Sequence, residues 1–335
     1  MRTLVLERSG VMAWHDAREP TCQPHEALVR IRQCGVCGTD RHAYNGRQPF
    51  LTYPIRLGHE LSAEVVAAPE GSAVKPGDRC AINPYVFCGA CIACRMGKEN
   101  CCESMRVLGV HMDGGHAPRL AVPVANLLVS NGLSLESLAL VEPLVIGYHA
   151  VMRAGLVPGD SAVVVGQGPI GIAVAFFARA TGAELVIVEK RPDCLERSEQ
   201  ILGVRGLAPG SDLPHRLRLC LGGELPRVVF DATGNPEAMH SSFDLPGHGG
   251  SLVFVGHFPG DVTFNDPDFH RRELTLLASR NGTTEDFRAV LRYLEDGTVD
   301  AACMITHRFA FDEMHRRFAD LDTMPGLVKA MITIS

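Results

Sequence analysis

The stretch Ala162-Val163-Val164-Val165-Gly166-Gln167-Gly168-Pro169-Ile170-Gly171 constrains the fold of this chain more than any other. Four apolar residues run straight into a G-x-G-x-x-G turn, and Ile170 to Thr181 continues as an apolar helix stopped by Gly182. The glycine pattern alone is common in loops; placed between a strand and a helix it points to a phosphate cradle. Gly166 makes the tight turn, Gly168 lets the backbone approach a pyrophosphate, and Gly171 packs helix against strand. Pro169 and Ile170 open the helix, whose free N–H groups and partial positive charge suit phosphate. Glu189 lies 18 residues past Gly171, at the end of the next apolar strand, Leu185 to Val188. A carboxylate there accepts from ribose hydroxyls and repels a 2′-phosphate by about 4 kcal/mol per charge pair at about 4 Å before screening. NAD is therefore the expected dinucleotide and NADP the less favoured one, with Lys190 and Arg191 softening the preference.

Strand and helix signals alternate on either side of this turn. Asp193 to Leu202 reads as a helix ending at Gly203, and Val228-Val229-Phe230, Leu252 to Val255 and Leu274 to Leu277 read as buried strands. Continuous apolar strands separated by helices imply a parallel sheet covered on both faces. The segment before it differs. The first 150 residues are rich in short β-like runs broken by Gly and Pro, such as Ala27 to Arg32 and Glu64 to Ala67, and suggest a small β-barrel, with a change near Ser134. Ser134 is an expected N-cap, Pro143 an interruption, and Ile146 to Ala154 a further helix. In the tail, Thr284 and Asp312 are expected caps, and Ala330 to Ile334 is an expected strand that returns to the first domain.

Two residue clusters carry metal chemistry. Cys37, in Gly35-Val36-Cys37-Gly38-Thr39-Asp40-Arg41-His42, and His59, in Leu57-Gly58-His59-Glu60, are 22 residues apart. Thiolate and imidazole are first-choice zinc ligands, and a catalytic zinc keeps one position open. Glu60 and Glu142 are both candidates for the third ligand, and the spacing does not choose between them. The second cluster is Cys88-x2-Cys91-x2-Cys94-x7-Cys102, within a run that holds five of the 12 cysteines. Four thiolates on one short loop can close a tetrahedron and leave no open position, as a structural zinc requires. Disulfides, free thiols and an iron–sulfur cluster are the alternatives. Cys101 adjoins the last ligand, and the spacing favours Cys102.

Bulk properties exclude other classes. A chain of 335 residues exceeds one hydrophobic core. The net charge of −6 gives no footprint for nucleic acid and disfavours a zinc-finger reading of the cysteine lobe. No apolar run approaches a membrane span, and no secretory signal opens the chain, so a reducing cytoplasm is expected and metal is preferred over disulfides.

Together, GVCGTDxH, GHE, the four-cysteine lobe, VEPL and VxGxGPIG resemble the zinc-dependent medium-chain dehydrogenase/reductase family across essentially the whole chain. The resemblance implies an α/β plus β architecture. A GroES-like β-barrel catalytic domain (1–146 and 286–335, with the lobe at 88–102) would join a Rossmann doubly wound NAD-binding domain (147–285). It implies two zinc ions per chain, with Cys37 and His59 as catalytic ligands. Glu142 stands where simple alcohol dehydrogenases carry a cysteine, which points to the polyol and sugar-acid branch; there Glu60 binds zinc directly or alternates with Glu142. Thr39 matches the hydroxyl that touches the substrate oxygen, His42 the outer end of a proton relay, and Asp40 is expected to orient a ligand. The implied reaction oxidises a secondary hydroxyl of an aldonate such as L-gulonate or L-galactonate, or of a polyol, with hydride passing to NAD. The rivals are a sorbitol, threonine or general alcohol dehydrogenase of the same family, a zinc-free quinone reductase and a non-catalytic NAD(H)-sensing zinc protein. Polar residues at Arg41 to Phe50, His111, Asp113, His116 and Arg280-Asn281 are the substrate-contact candidates, Arg280 serving also beside the cofactor. A homodimer or homotetramer is expected, pairing through Leu252–Val255 and the turn from Phe254 to Phe258.

Overall fold

The computed structural model describes residues 1–49 and 51–335; Phe50 lies outside them. The chain divides into two compact units, Met1–Glu142 with Thr283–Ser335, and Pro143–Gly282.

In the second unit six strands form one parallel sheet in the spatial order Arg205–Leu207, Glu184–Val188, Ser161–Val165, Val228–Asp231, Ser251–Phe254, Thr275–Ala278. The strand that enters the glycine turn is third in space, and the order reverses beside it. Ligands of such sheets bind at this switch point, outside the carboxyl ends of the strands. Ser161–Val165 and Val228–Asp231 are almost wholly buried, as their unbroken apolar runs require. Arg205–Leu207 has too few residues to announce itself in the sequence. Thr275–Ala278 corrects the expectation of a buried strand: it forms one edge, and Leu276 is 39% exposed. Leu252–Val255 in turn is not an edge, because Ser251–Phe254 is paired on both sides.

The first unit is built on the long strand Glu26–Val36. One edge pairs with Glu60–Ala67; the other pairs with Arg119–Pro123 along its first half and with Lys329–Thr333 along its second. Ile305–Ala310, Arg79–Ile82 and Leu127–Val129 extend the seven-stranded sheet. Leu4, Leu6, Val29, Ile31, Leu57, Leu61 and Ile332 pack its core. The register brings three distant segments together: Gly35 faces Glu60 on one side, and Val36 faces Ala330 on the other.

Three helix boundaries differ from the sequence reading: Asp312, expected as a cap, lies inside the short turn Phe311–Glu313, and the helix Met314–Arg317 after it starts from Glu313. Ser134 does cap Leu135–Ala139, its hydroxyl accepting from Ser137 N at 3.0 Å. The next helix starts at Val141, however, and runs to Ala154 through Pro143. Proline in a first turn forfeits only an N–H that has no helical acceptor, so it marks a start there and not a break. Near the tail the cap is Thr283, one residue earlier than expected, in a reciprocal pair with Asp286.

Candidate active site

Cys37 ends the strand Glu26–Val36 and caps the helix Gly38–Tyr44. Its N–H donates to Asp40 Oδ2 at 2.9 Å, so the buried Asp40 fixes the turn that presents the thiol. The other oxygen, Asp40 Oδ1, lies 3.6 Å from His59 Nδ1; both atoms are buried and lack a hydrogen-bond partner among the described residues. Burial penalises a charged His59, yet Asp40 and Cys37 hold its pKa well above the ordinary histidine value, so loading a cation there displaces a proton. With Nδ1 turned to Asp40, Nε2 is left for a metal, as in carboxylate–histidine–zinc arrangements. Thr39 and His42 follow Cys37 on one face of the helix, three residues apart; Thr39 is half-buried and His42 exposed.

Ligand atoms of Cys37, His59 and Glu60 all lie within 4.8 Å of one another. Zinc bonds of about 2.0–2.3 Å separate two ligand atoms by at most about 4.6 Å, so the donor set fits zinc after small adjustments. Glu60 has a partner that sequence reading missed. The ammonium of Lys329, buried in the last strand, donates to Glu60 Oε1 at 2.6 Å, to Oε2 at 2.7 Å and to Val36 O at 3.2 Å. Burial works most strongly against that charge, but Glu60, Cys37 and Glu142 together more than compensate, raising the Lys329 pKa. Gly35 makes room for the pair: a Cβ there would stand 2.0 Å from Glu60 Oε2. The available signal was a lone lysine in the apolar run Val328 to Ile332.

Glu142, on the first turn of Val141–Ala154, is also buried. Burial raises its pKa against the pull of His59, and its Oε1 accepts from the Tyr85 hydroxyl. Burial and the Glu142 charge push the phenol well above its ordinary pKa, which keeps its proton in place to donate. Tyr85 too was missed; nothing in Asn83 to Phe87 signals it.

The second cluster forms a closed set. Cys88, Cys91, Cys94 and Cys102 bring their sulfurs within 4.8 Å of one another, and none is in a disulfide. Cys88 Sγ accepts from Ala90 N and Cys91 N at 3.4 and 3.3 Å, and Cys102 Sγ from Cys88 N at 3.3 Å. Backbone N–H groups of Cys94 and Glu103 bring the Cys91 thiol down to about 6, while burial and the neighbouring thiols push Cys94 up to about 12. One thiolate is thus ready and the others form as a cation displaces protons. Cys101 is exposed and outside the set.

At the glycine turn the expected geometry is present. Gly166 has φ 89°, Gly168 caps the helix Pro169–Ala180 with open space where a Cβ would stand, and a Cβ on Gly171 would meet Gly166 O at 1.7 Å. Glu189 is committed to the loop: Oε2 accepts from Gln167 N at 2.8 Å and Oε1 from Arg191 N at 2.9 Å. Arg280, exposed, follows the edge strand at the same end of the sheet, with Asn281 at φ 50°.

Several polar substrate candidates have structural tasks. Arg41 and Asn45 both hold Asp322, and Asp113 pairs with Arg56. His111 Nδ1 accepts from Val107 N at 3.1 Å. His116 is buried beside Phe311 and Phe318, and burial, aided by His59, lowers its pKa to about 3, so it is neutral.

Comparison with known proteins agrees with this geometry. Residues 23–131 match the alcohol dehydrogenase GroES-like domain and 169–296 the zinc-binding dehydrogenase domain. The L-galactonate-5-dehydrogenase of Escherichia coli is 42% identical, with 99% of each chain covered. The chain belongs to the zinc-dependent medium-chain dehydrogenase/reductase family. Sorbitol dehydrogenase of Bacillus subtilis is another relative, 30% identical over 93% of this chain and 91% of that one. A zinc-binding dehydrogenase of Sinorhizobium meliloti, solved bound to NADP, superposes with a TM-score of 0.91 at 28% identity, covering 99% of this chain and 98% of that one. This member of the family is a zinc alcohol dehydrogenase, and its two donor sets fit one catalytic and one structural zinc. No helix among the described residues is long and apolar enough to cross a membrane.

Proposed function

We propose that this dehydrogenase oxidises a secondary hydroxyl of an aldonate such as L-galactonate or L-gulonate to a ketone, with NAD as acceptor and sorbitol-like polyols as weaker substrates. The 42% identity to a relative named L-galactonate-5-dehydrogenase carries this reading. Zinc held by Cys37, His59 and one of Glu60 and Glu142 supplies a Lewis acid for the alcohol oxygen, and NAD the hydride acceptor. The chain itself handles the proton. Thr39, two residues past Cys37, takes it from the substrate hydroxyl, and the exposed His42 passes it to solvent, imidazole being the side chain that exchanges protons most readily near neutral pH. Asp40 keeps His59 oriented. Arg280 is the proposed carboxylate contact, able to bind it bidentately.

Glu189 supports NAD: buried against the glycine loop, it puts a negative charge where NADP would bring a phosphate. The free sheet edge Thr275–Ala278, with its exposed Leu276, supports a homo-oligomer. Light scattering at micromolar concentration should give more than the monomer mass.

The test is the ratio of catalytic efficiencies for L-galactonate and its uncharged polyol counterpart, measured as NADH formation. The aldonate should win, and Arg280→Ala should raise its KM. A clear win for the polyol, or an unchanged KM, refutes the carboxylate contact while leaving the dehydrogenase intact.

A further inference from the structure

One fully buried carboxylate lies apart from the metal ligands and the proton path. Asp231 ends the strand Val228–Asp231, at the carboxyl end of the parallel sheet. Its side chain accepts only from neutral donors. Oδ1 takes Thr233 N at 2.9 Å and Thr233 Oγ1 at 2.6 Å, and Oδ2 takes Ser242 Oγ at 2.7 Å. The Thr233 oxygen in turn accepts from Asn235 N at 3.1 Å. The Asp231 carbonyl accepts from Val255 N at 2.9 Å and from Gly256 N at 3.0 Å. Burying a carboxylate among neutral groups is costly, and an apolar residue would end the strand without that cost. What the acid adds is strength: hydrogen bonds to an ionised group are about twice as strong as neutral ones. They are spent on two loops outside the core, 232–235 and the turn that begins at Val255.

Both loops adjoin the glycine turn. Val165 pairs with Asp231 and Asp231 with Phe254, so Gly166, Ala232 and Val255 leave the sheet at one level. A Cβ on Gly166 would stand 2.9 Å from Thr233 Cγ2, and one on Gly256 would stand 2.4 Å from Gly234 N. The three backbones are as close as glycine permits, and a shift at Thr233 would reach both neighbours. Glu189, the expected ribose partner, lies on one side of Ser161–Val165 and Asp231 on the other. Sheets of this strand order are two mononucleotide-binding halves, so the side away from Glu189 takes the second nucleotide of a dinucleotide. We propose that Asp231 is a positioning residue for the nicotinamide nucleotide, fixing through Thr233, Val255 and Gly256 the two loops that floor that half of the crevice. Being fully buried, it does this without touching the cofactor. The inference rests on reading the crevice as the NAD site and is independent of the substrate.

The experiment is titration calorimetry on the zinc-loaded full chain, comparing NADH with AMP, which carries the adenosine half alone. Asp231→Ala should weaken NADH binding about tenfold or more, the effect of losing one hydrogen bond to a charged group, and leave AMP within about twofold of wild type. Asp231→Asn should recover most of the loss, because its amide oxygen can accept both Thr233 bonds and its nitrogen can donate to the Ser242 hydroxyl. Ser242→Ala keeps the acid and loses only the bond at 2.7 Å. It should weaken NADH about threefold or more and again spare AMP, and it decides the question if Asp231→Ala does not fold. Equal losses for NADH and AMP would show that the acid supports the whole sheet, and unchanged NADH affinity would show that it holds nothing the cofactor feels; either result overturns the inference. A loss in Asp231→Asn as large as in Asp231→Ala overturns it too, because charge and not placement would then matter. Wild type that binds neither ligand would overturn the cofactor reading and the inference together.

Discussion

Removing Lys329 should expose how much the fold depends on a charge pair at its metal centre. In Lys329→Met the Glu60 carboxylate loses three-point support: its own two bonds at 2.6 and 2.7 Å, and the tether to Val36 O at 3.2 Å. Both side chains are 1% exposed, so water does not replace the ammonium. Breaking a buried pair by deleting one partner costs about 3–5 kcal/mol, because the surviving charge stays buried. For domains of about 150–250 residues each kcal/mol shifts Tm by about 2–4 °C, so the midpoint should fall by about 6–20 °C. The assay is thermal and urea unfolding of the zinc-loaded protein. Replacing the partner as well, in Lys329→Met with Glu60→Met, removes the stranded charge and should recover most of the loss. A single-variant loss below about 1 kcal/mol, or a double variant as unstable as the single, would refute the claim that Glu60 is a buried carboxylate charged against Lys329.

Other predictions follow from the two units separately. Elemental analysis should find two zinc ions per chain; Cys37→Ala should abolish turnover and keep the fold, whereas Cys91→Ser should lower thermal stability, since structural zinc binding is folding free energy. Glu189→Ser should shift cofactor preference towards NADP, and equal efficiencies of the wild type with NAD and NADP would show that Lys190 and Arg191 override the acid. Burial would raise the Asp322 pKa, but Asn45 and Arg41 pull it below its ordinary 3.8. Its contribution is thus present above that value and lost as pH falls through the lower folded one. Because this pair is partly exposed, Asp322→Asn should cost only about 1 kcal/mol at neutral pH, and the gap to wild type should close in acid unfolding curves below about pH 4.

What was legible in the sequence is local in the chain. The glycine turn could be read because its signal is local: Gly166 takes φ 89°, and Gly171 packs against Gly166 O five residues back. The four-cysteine lobe and the Ser134 cap are legible for the same reason. What escaped depends on register between distant segments. Lys329 and Glu60 are 269 residues apart and meet because two strands flank Glu26–Val36. The exposure of Thr275–Ala278 reflects its place at the end of the sheet, which its leucines do not reveal. Arg41, Asn45 and Asp113 look like substrate contacts in a list of polar residues, yet Asp322 and Arg56 had already engaged them.

The central claim is that the Cys37–His59 site directs hydride from a secondary carbon of an aldonate to the nicotinamide cofactor. The most direct measurement uses L-galactonate deuterated at C5 with NAD, followed by mass spectrometry of cofactor and product. Deuterium should appear in the reduced cofactor, the product should be the 5-ketone, and neither should form with Cys37→Ala. Turnover by the zinc-loaded enzyme without deuterium on the cofactor, or with oxidation at another carbon, would contradict the account, as would undiminished transfer by the Cys37→Ala variant.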